Sequence, residues 1–268
     1  MTRRGSDSSS CAEDAAVSGR PGREYRGFAF KGANFRIACP LFERLTREIR
    51  RQRNTLEGYI RRQPEFRTAL VPIGLLPGAP EVARRMHAAS LATGVGPMAA
   101  VAGAMAQLAA EAALAEGAGE AIVENGGDIY LASPQPVVIA LYAGDNPLSG
   151  ALALEARPQD MPLAVCSSSG RLGHSFSLGD CDLATVVARD AALADAAATL
   201  AANLVRTEAD IPAALQHVAA IPGVSGLLLV KGGKIGVAGK LPRLVRHADE
   251  RYAIKITRDP ASGMAIPY

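Results

Sequence analysis

The stretch "VVARDAALADAAATLAANLV", residues 186–205, carries a strand end, a helix cap and a helix in close succession. Its first residues close the run "DLATVVA", whose β-branched and apolar residues predict a strand. Asp190 follows, with a side chain suited to accept a backbone N–H from the first turn of a helix. From 191 to 205 every position is Ala, Leu or Val except Asp195, Thr199 and Asn203. Those three recur at i, i+4 and i+8 and so form one polar stripe on an otherwise apolar helix. Such a helix is buried, and a carboxylate inside it is costly without a cation, a basic partner or several donors. A carboxylate and a hydroxyl one turn apart, with no His or Cys on the stripe, suit Mg²⁺ or Ca²⁺ rather than zinc. Spacing leaves a second reading open with equal weight, in which Asp195 pairs with an arginine and Thr199 bonds back to its own helix.

Immediately upstream lies "CSSSGRLGHSFSLGDCD" (166–182), read as a polar loop. A serine-hydrolase elbow needs G-x-S-x-G, which this loop lacks. Ser167, Ser168, Ser169 and Gly170 are suited to hold a phosphate or a cofactor edge with hydroxyls and backbone amides. His174 reads as a proton-transfer group, a diphosphate contact or a structural histidine. Cys166 and Cys181 read as buried small residues, with a thiol pair handling sulfur as the alternative. Further upstream, "VENGGDIYL" (123–131) predicts a tight hairpin at Asn125-Gly126-Gly127. Asp128 stands just after it and, taken alone, reads as a turn-stabilising aspartate. In "GVGPMAAVAGAMA" (94–106), Gly94 and Gly96 feed a helix with Pro97 at its first position and Gly117 beyond its end. The N-terminus of that helix is a candidate anion site, and a tight turn into a core helix is the commoner alternative.

The remaining pattern is strands with helices between them. "YRGFAF" and "NFRIAC" flank a turn, and "PLFERLTREIRRQRNTLEGYIRR" is amphipathic with seven arginines, read as a solvated helix face rather than a nucleic-acid surface. "PEVARRMHAASLA" and "IPAALQHVAA" predict helices, "PVVIALYAG" and "GALALEA" continue the sheet, and "SGLLLVKGGKIGVAG" is a hairpin turning at Gly232-Gly233. The expectation is an α+β fold, a layered antiparallel or mixed sheet with packed helices. One domain over 24–247 is expected, between a disordered tail over 1–23 and an undecided tail over 248–268. A net charge of +3 gives no argument for nucleic acid. The apolar run 97–115 is interrupted by Gln107 and Glu111 and reads as a buried helix rather than a membrane span. No secretory apolar run precedes residue 24, so a cytoplasmic location is expected. The oligomeric state is not legible.

"VENGGDIYL" and "VVARDAALADAAATLAANLV" together resemble the two best motifs of the ApbE superfamily, whose founding members are magnesium-dependent FAD:protein FMN transferases. "GVGPMAAVAGAMA" and "SSSGRLGHSFSLG" resemble a less characterised branch of it, over roughly residues 24–240. The resemblance implies an ApbE-like fold related to the T-fold. It implies Mg²⁺ held by Asp195 and Thr199 of an A-D-x-x-x-T motif, and a G-G-D motif at Gly126, Gly127 and Asp128. It implies FAD as substrate or ligand, a flavin or small nucleotide as partner, and a protein acceptor of FMN. It also places His174 beside the diphosphate, although "HSFSLGDCD" lacks the D-P-x-T-G that follows the histidine in the transferases. The alternative is a non-flavinylating relative that binds another small ligand or acts in sulfur or thiol metabolism.

Overall fold

The computed structural model describes residues 23–144, 146, 149, 151–170 and 179–246. His174, the expected disorder of the first residues and the C-terminal tail lie outside the described residues. In chain order the strands are β1 (Arg26–Phe30), β2 (Ala33–Ala38), β3 (Ala121–Asn125), β4 (Asp128–Ala132), β5 (Val137–Ala140), β6 (Leu152–Ala156), β7 (Leu163–Ser168), β8 (Leu183–Ala188), β9 (Val224–Lys231), β10 (Lys234–Gly239) and β11 (Arg243–Arg246). Eight of them form one sheet in the order β1-β2-β3-β4-β7-β8-β9-β10, and every pairing is antiparallel. The β3–β4 turn uses Gly126 and Gly127 at φ 66° and 105°. A two-residue hairpin needs these left-handed values, and glycine takes them without steric cost.

The helices are α1 (Phe42–Arg62), α2 (Glu65–Thr68), α3 (Glu81–Thr93), α4 (Val101–Ala115), α5 (Ala191–Leu204) and α6 (Ile211–Ala219). They lie on one face of the large sheet. Val123, Tyr130, Ala164, Cys166 and Val186 point towards them, while their strand neighbours Ile122, Leu131, Val165 and Val187 point to the opposite face. This is the period-two alternation of a sheet buried on both sides. On α1, Leu45, Ile49 and Leu56 are buried, and three of its arginines are engaged along the helix, Arg44 and Arg51 with Glu48 and Arg53 with Glu57. The arginine-rich face is therefore a surface laced with pairs three and four residues apart.

The apolar run 97–115 becomes a 3₁₀ turn, Pro97–Ala100, followed by α4, packed between α1, α5 and the sheet. Alanine and glycine let α4 and α5 approach closely. A Cβ added at Gly103 would stand 2.1 Å from the Ala191 carbonyl oxygen.

Two expectations need correction. "PVVIALYAG" and "GALALEA" do not extend the large sheet: β5 and β6 join β11 in a separate sheet, ordered β11-β6-β5, across its other face. Val137 is 3% exposed and Val138 55%, so β5 offers a single apolar side, as a cover layer does. The polar loop does not begin at Cys166 either, because Leu163–Ser168 is a central strand paired on both sides.

Candidate active site

The site forms where the hairpin β3–β4, strand β7 and helices α4 and α5 meet. Asp128 opens β4 and alternates with the helix-facing Tyr130, so it points to the helices. The register Tyr130↔Ala164 carries Asp128 alongside Cys166. Its carboxylate lies against the Cys166 thiol and the Ser167 amide, both of which favour the charged form. Its Oδ1 is buried with no hydrogen-bond partner.

Asp195 comes from α5, four residues past the close approach of Ala191 to α4. The Gly103 N–H donates to Asp195 Oδ2 at 2.9 Å, and the Ala102 amide also acts on it. These are the second and third residues of α4, whose own Ala100 supplies no side-chain cap. The Asp195 carboxylate therefore caps a neighbouring helix and meets the positive end of its dipole. The arrangement is reciprocal, since Gln107 of α4 accepts the Ala191 N–H at the start of α5, at 2.7 Å. Neither half of the second reading of this stripe occurs. Asp195 pairs with no arginine, and the Thr199 hydroxyl makes no hydrogen bond among the described residues.

The electrostatics follow from two carboxylates in one dry place. Burial pushes Asp195 up to about 7, against the pull of the two amides. Burial, and then the charge of Asp195, holds Asp128 well above the usual carboxylate range. Burial and the same carboxylates keep the Cys166 thiol protonated. A proton or a cation relieves such a pair, because like charges here disfavour each other's ionised form. The oxygens on offer, Asp128 Oδ1, the Asp195 carboxylate and the Thr199 hydroxyl, are hard donors that suit Mg²⁺. Among the described residues no three His, Cys, Asp or Glu side chains gather as metal ligands, so a cation here would complete its shell with hydroxyl, ligand or water oxygens.

The other candidate positions divide. Cys166 contacts Ala191, Gly170 packs on Gly179, and Gly179 packs on Ala202, so β7 and α5 run in the same direction. That places helix-facing Ser168 level with the Asp195–Thr199 turn. Ser167 faces the other way, and its hydroxyl lies 2.9 Å from that of Thr185 across the β7–β8 pair. Ser169 donates to the Cys181 carbonyl at 3.4 Å, and the Gly170 amide donates to the same oxygen at 2.8 Å. Gly94 is the left-handed residue that ends α3, its N–H bonded to Ser90 O. Gly96 is fixed by packing, since a Cβ there would stand 1.8 Å from Ala69 O. The α4 amides expected to meet an external anion answer instead to Asp195.

Cys166 and Cys181 are free and buried. Cys166 pairs across the sheet with Val186, whereas Cys181 precedes β8 altogether and bonds to Leu183 O and Val230 O. They sit as separate small core residues.

Two participants escape a reading of the sequence by motif. Asn125, directly before the glycine turn, donates to Ala102 O at 3.3 Å and ties the hairpin to α4. Gly103 is signalled by its place inside an alanine helix, where glycine otherwise weakens the helix.

The sequence profile of the family described as AbpE bacteria matches residues 38–232. A UPF0280 protein of Methanocella arvoryzae is 46% identical over 202 residues, covering 75% of this chain and 82% of that protein. A UPF0280 protein of Methanosarcina acetivorans is 43% identical over 199 residues, covering 74% and 78%. Among solved structures, the flavin transferase ApbE from Vibrio cholerae superposes with a TM-score of 0.50 at 13% identity, covering 82% of this chain and 96% of that one. The fold is shared with it.

Proposed function

The chain belongs to the AbpE bacteria family, and from that premise we propose that it is a magnesium-dependent enzyme acting on FAD or a related nucleotide diphosphate, with FMN transfer to a protein Ser or Thr as its reaction. The observation that carries this is the buried Asp128–Asp195 pair with an unpartnered Asp128 oxygen. Two carboxylates and the Thr199 hydroxyl offer the oxygen donors that magnesium requires. Bound there, the ion would supply charge neutralisation at the diphosphate. The protein's own residues prepare the place. The α4 amides of Ala102 and Gly103 fix the Asp195 carboxylate, the Ser167 amide and Cys166 thiol fix that of Asp128, and Ser168 lies on the same face of β7 as Cys166. His174 is assigned, by its position in the motif, to the diphosphate or to proton transfer.

A second reading has its own support. Asp180 and Asp182, the acids that follow His174, are engaged in the structure. Asp180 bonds Lys231 at 2.6 Å, and Asp182 accepts from Gly232 N–H at 2.8 Å and Asn146 at 2.9 Å. Neither supplies the aspartate three residues after the histidine that D-P-x-T-G requires, a position held by Ser177, and this suits a relative that kept the cation site and serves another ligand.

Thermal melting of wild type and Asp195→Asn, with and without Mg²⁺ and FAD, separates the readings. A ligand that binds only the folded state stabilises it by mass action. Wild type gains melting temperature with Mg²⁺ and gains more with Mg²⁺ and FAD together, and Asp195→Asn loses both gains. Stabilisation by Mg²⁺ with no response to FAD selects the second reading. Identical curves with and without Mg²⁺ reject the metal site.

A further inference from the structure

We propose that the cleft between the β1–β2 turn, α1 and the residues around α2 binds a phosphate-bearing ligand with an apolar body, of nucleotide size. The cleft encloses about 460 Å³, within the range of small-molecule sites. Lys31, Arg53, Arg61 and Arg67 line it against a single carboxylate, Glu57, which leaves four positive charges facing one negative. That carboxylate is already occupied: Lys31 Nζ meets one of its oxygens at 2.5 Å and Arg53 Nε meets the other at 3.2 Å. The side chains of Arg61 and Arg67 form no hydrogen bond or ion pair among the described residues. A concave surface with this excess of one sign concentrates anions, and the guanidinium fork matches phosphate oxygens two at a time.

Two features narrow the ligand. Leu56, Ile60 and Met98 also line the cleft. Apolar lining does nothing for a bare inorganic anion and is satisfied by a ring or a chain. The turn at its edge is built unusually. Lys31 takes a φ of 49°, and among the described residues it alone has a positive φ without being glycine. Asn, Asp or Gly is the ordinary choice at that position of a hairpin turn. Residues held in such a conformation cluster at ligand clamps. Here the conformation lets the Lys31 ammonium reach back to Asn54 and Glu57 of α1, at 2.8 and 2.5 Å, so that the turn closes one wall.

None of the residues gathered around Asp195 lines this cleft, and the proposal stands apart from the metal and flavin reading. Calorimetric titration of the full chain in magnesium-free buffer tests it, with ADP, adenosine and pyrophosphate as probes. The proteins are wild type, Arg61→Glu/Arg67→Glu, the milder Arg61→Gln/Arg67→Gln, and Asp195→Asn. ADP binds wild type, with an affinity that falls as salt is added, and adenosine and pyrophosphate bind about tenfold more weakly or less. Loss of charge-assisted contacts lowers ADP affinity about tenfold or more in either double variant. Asp195→Asn leaves it unchanged. The proposal is overturned by absence of ADP binding at millimolar concentration, by equal affinity in the double variants, by loss confined to Asp195→Asn, or by pyrophosphate binding as tightly as ADP.

Discussion

Asp195 faces two demands: its carboxylate holds the start of α4 through the Gly103 amide, yet it shares a dry site with Asp128. The cost shows in its proton affinity, raised from 3.8 to about 7. A carboxyl whose folded pKa is raised keeps its proton in the folded state while the unfolded chain has already lost it. Without metal, Asp195 by itself therefore makes stability fall as pH rises from about 4 to about 7, by at most roughly 1.4 kcal/mol for each pH unit crossed, and the raised Asp128 adds to the fall. Mg²⁺ favours the ionised form and flattens this loss. Melting temperatures at pH 5, 6, 7 and 8, with and without Mg²⁺, are expected to show the slope only in its absence, and Asp195→Asn is expected to reduce it. A metal-free wild type with constant stability across that range would contradict the raised proton affinity of the buried carboxylates.

At the scale of elements, α4 and α5 behave as one unit, because each caps the other and Gly103 brings their backbones together. The Asp195 carboxylate serves the first amides of α4 and Gln107 serves that of α5. Gly103→Ala places a methyl group against the Ala191 carbonyl and Asp195 Cβ, at 2.1 and 3.0 Å before relaxation. Overpacking of this kind is expected to cost about 1–3 kcal/mol in urea denaturation. It also displaces Asp195 and so weakens the magnesium response. Gly119→Ala is the control, since a methyl there meets nothing within 4 Å. Equal stability of the two variants would show that the helices separate without penalty.

For the molecule as a whole, the large sheet holds the site on its helix-covered face while the β5-β6-β11 sheet seals the other. Leu154 of β6 is fully buried in that second core. Leu154→Ala is expected to lower stability by about 2–5 kcal/mol. The Mg²⁺-induced rise in melting temperature should remain, because the cover layer contributes no side chain to the cluster around Asp195. Loss of the metal response in a folded Leu154→Ala protein would mean that the second core also shapes the site.

Local pattern is enough for the hairpins at Gly126-Gly127 and Gly232-Gly233, for the Asp190 cap, whose side chain accepts the Leu193 amide, and for the stripe of α5. Each is written within a few residues, in turn glycines, a capping oxygen or a helical period. Composition likewise marks α4 and α5 as buried helices. What pattern leaves open is partnership. Period-two alternation tells a strand which side is apolar and nothing about which sheet it joins, so pattern alone puts β5 and β6 in the wrong one. Serine content makes Cys166–Ser168 look like loop, although pairing to β4 and β8 holds it as a central strand. The partner of Asp195 is beyond the reach of spacing altogether, because the amides it meets lie 92 residues away on α4. Contacts between distant segments are set by packing, and in this protein packing decides that a helix start, rather than an arginine, faces the buried carboxylate.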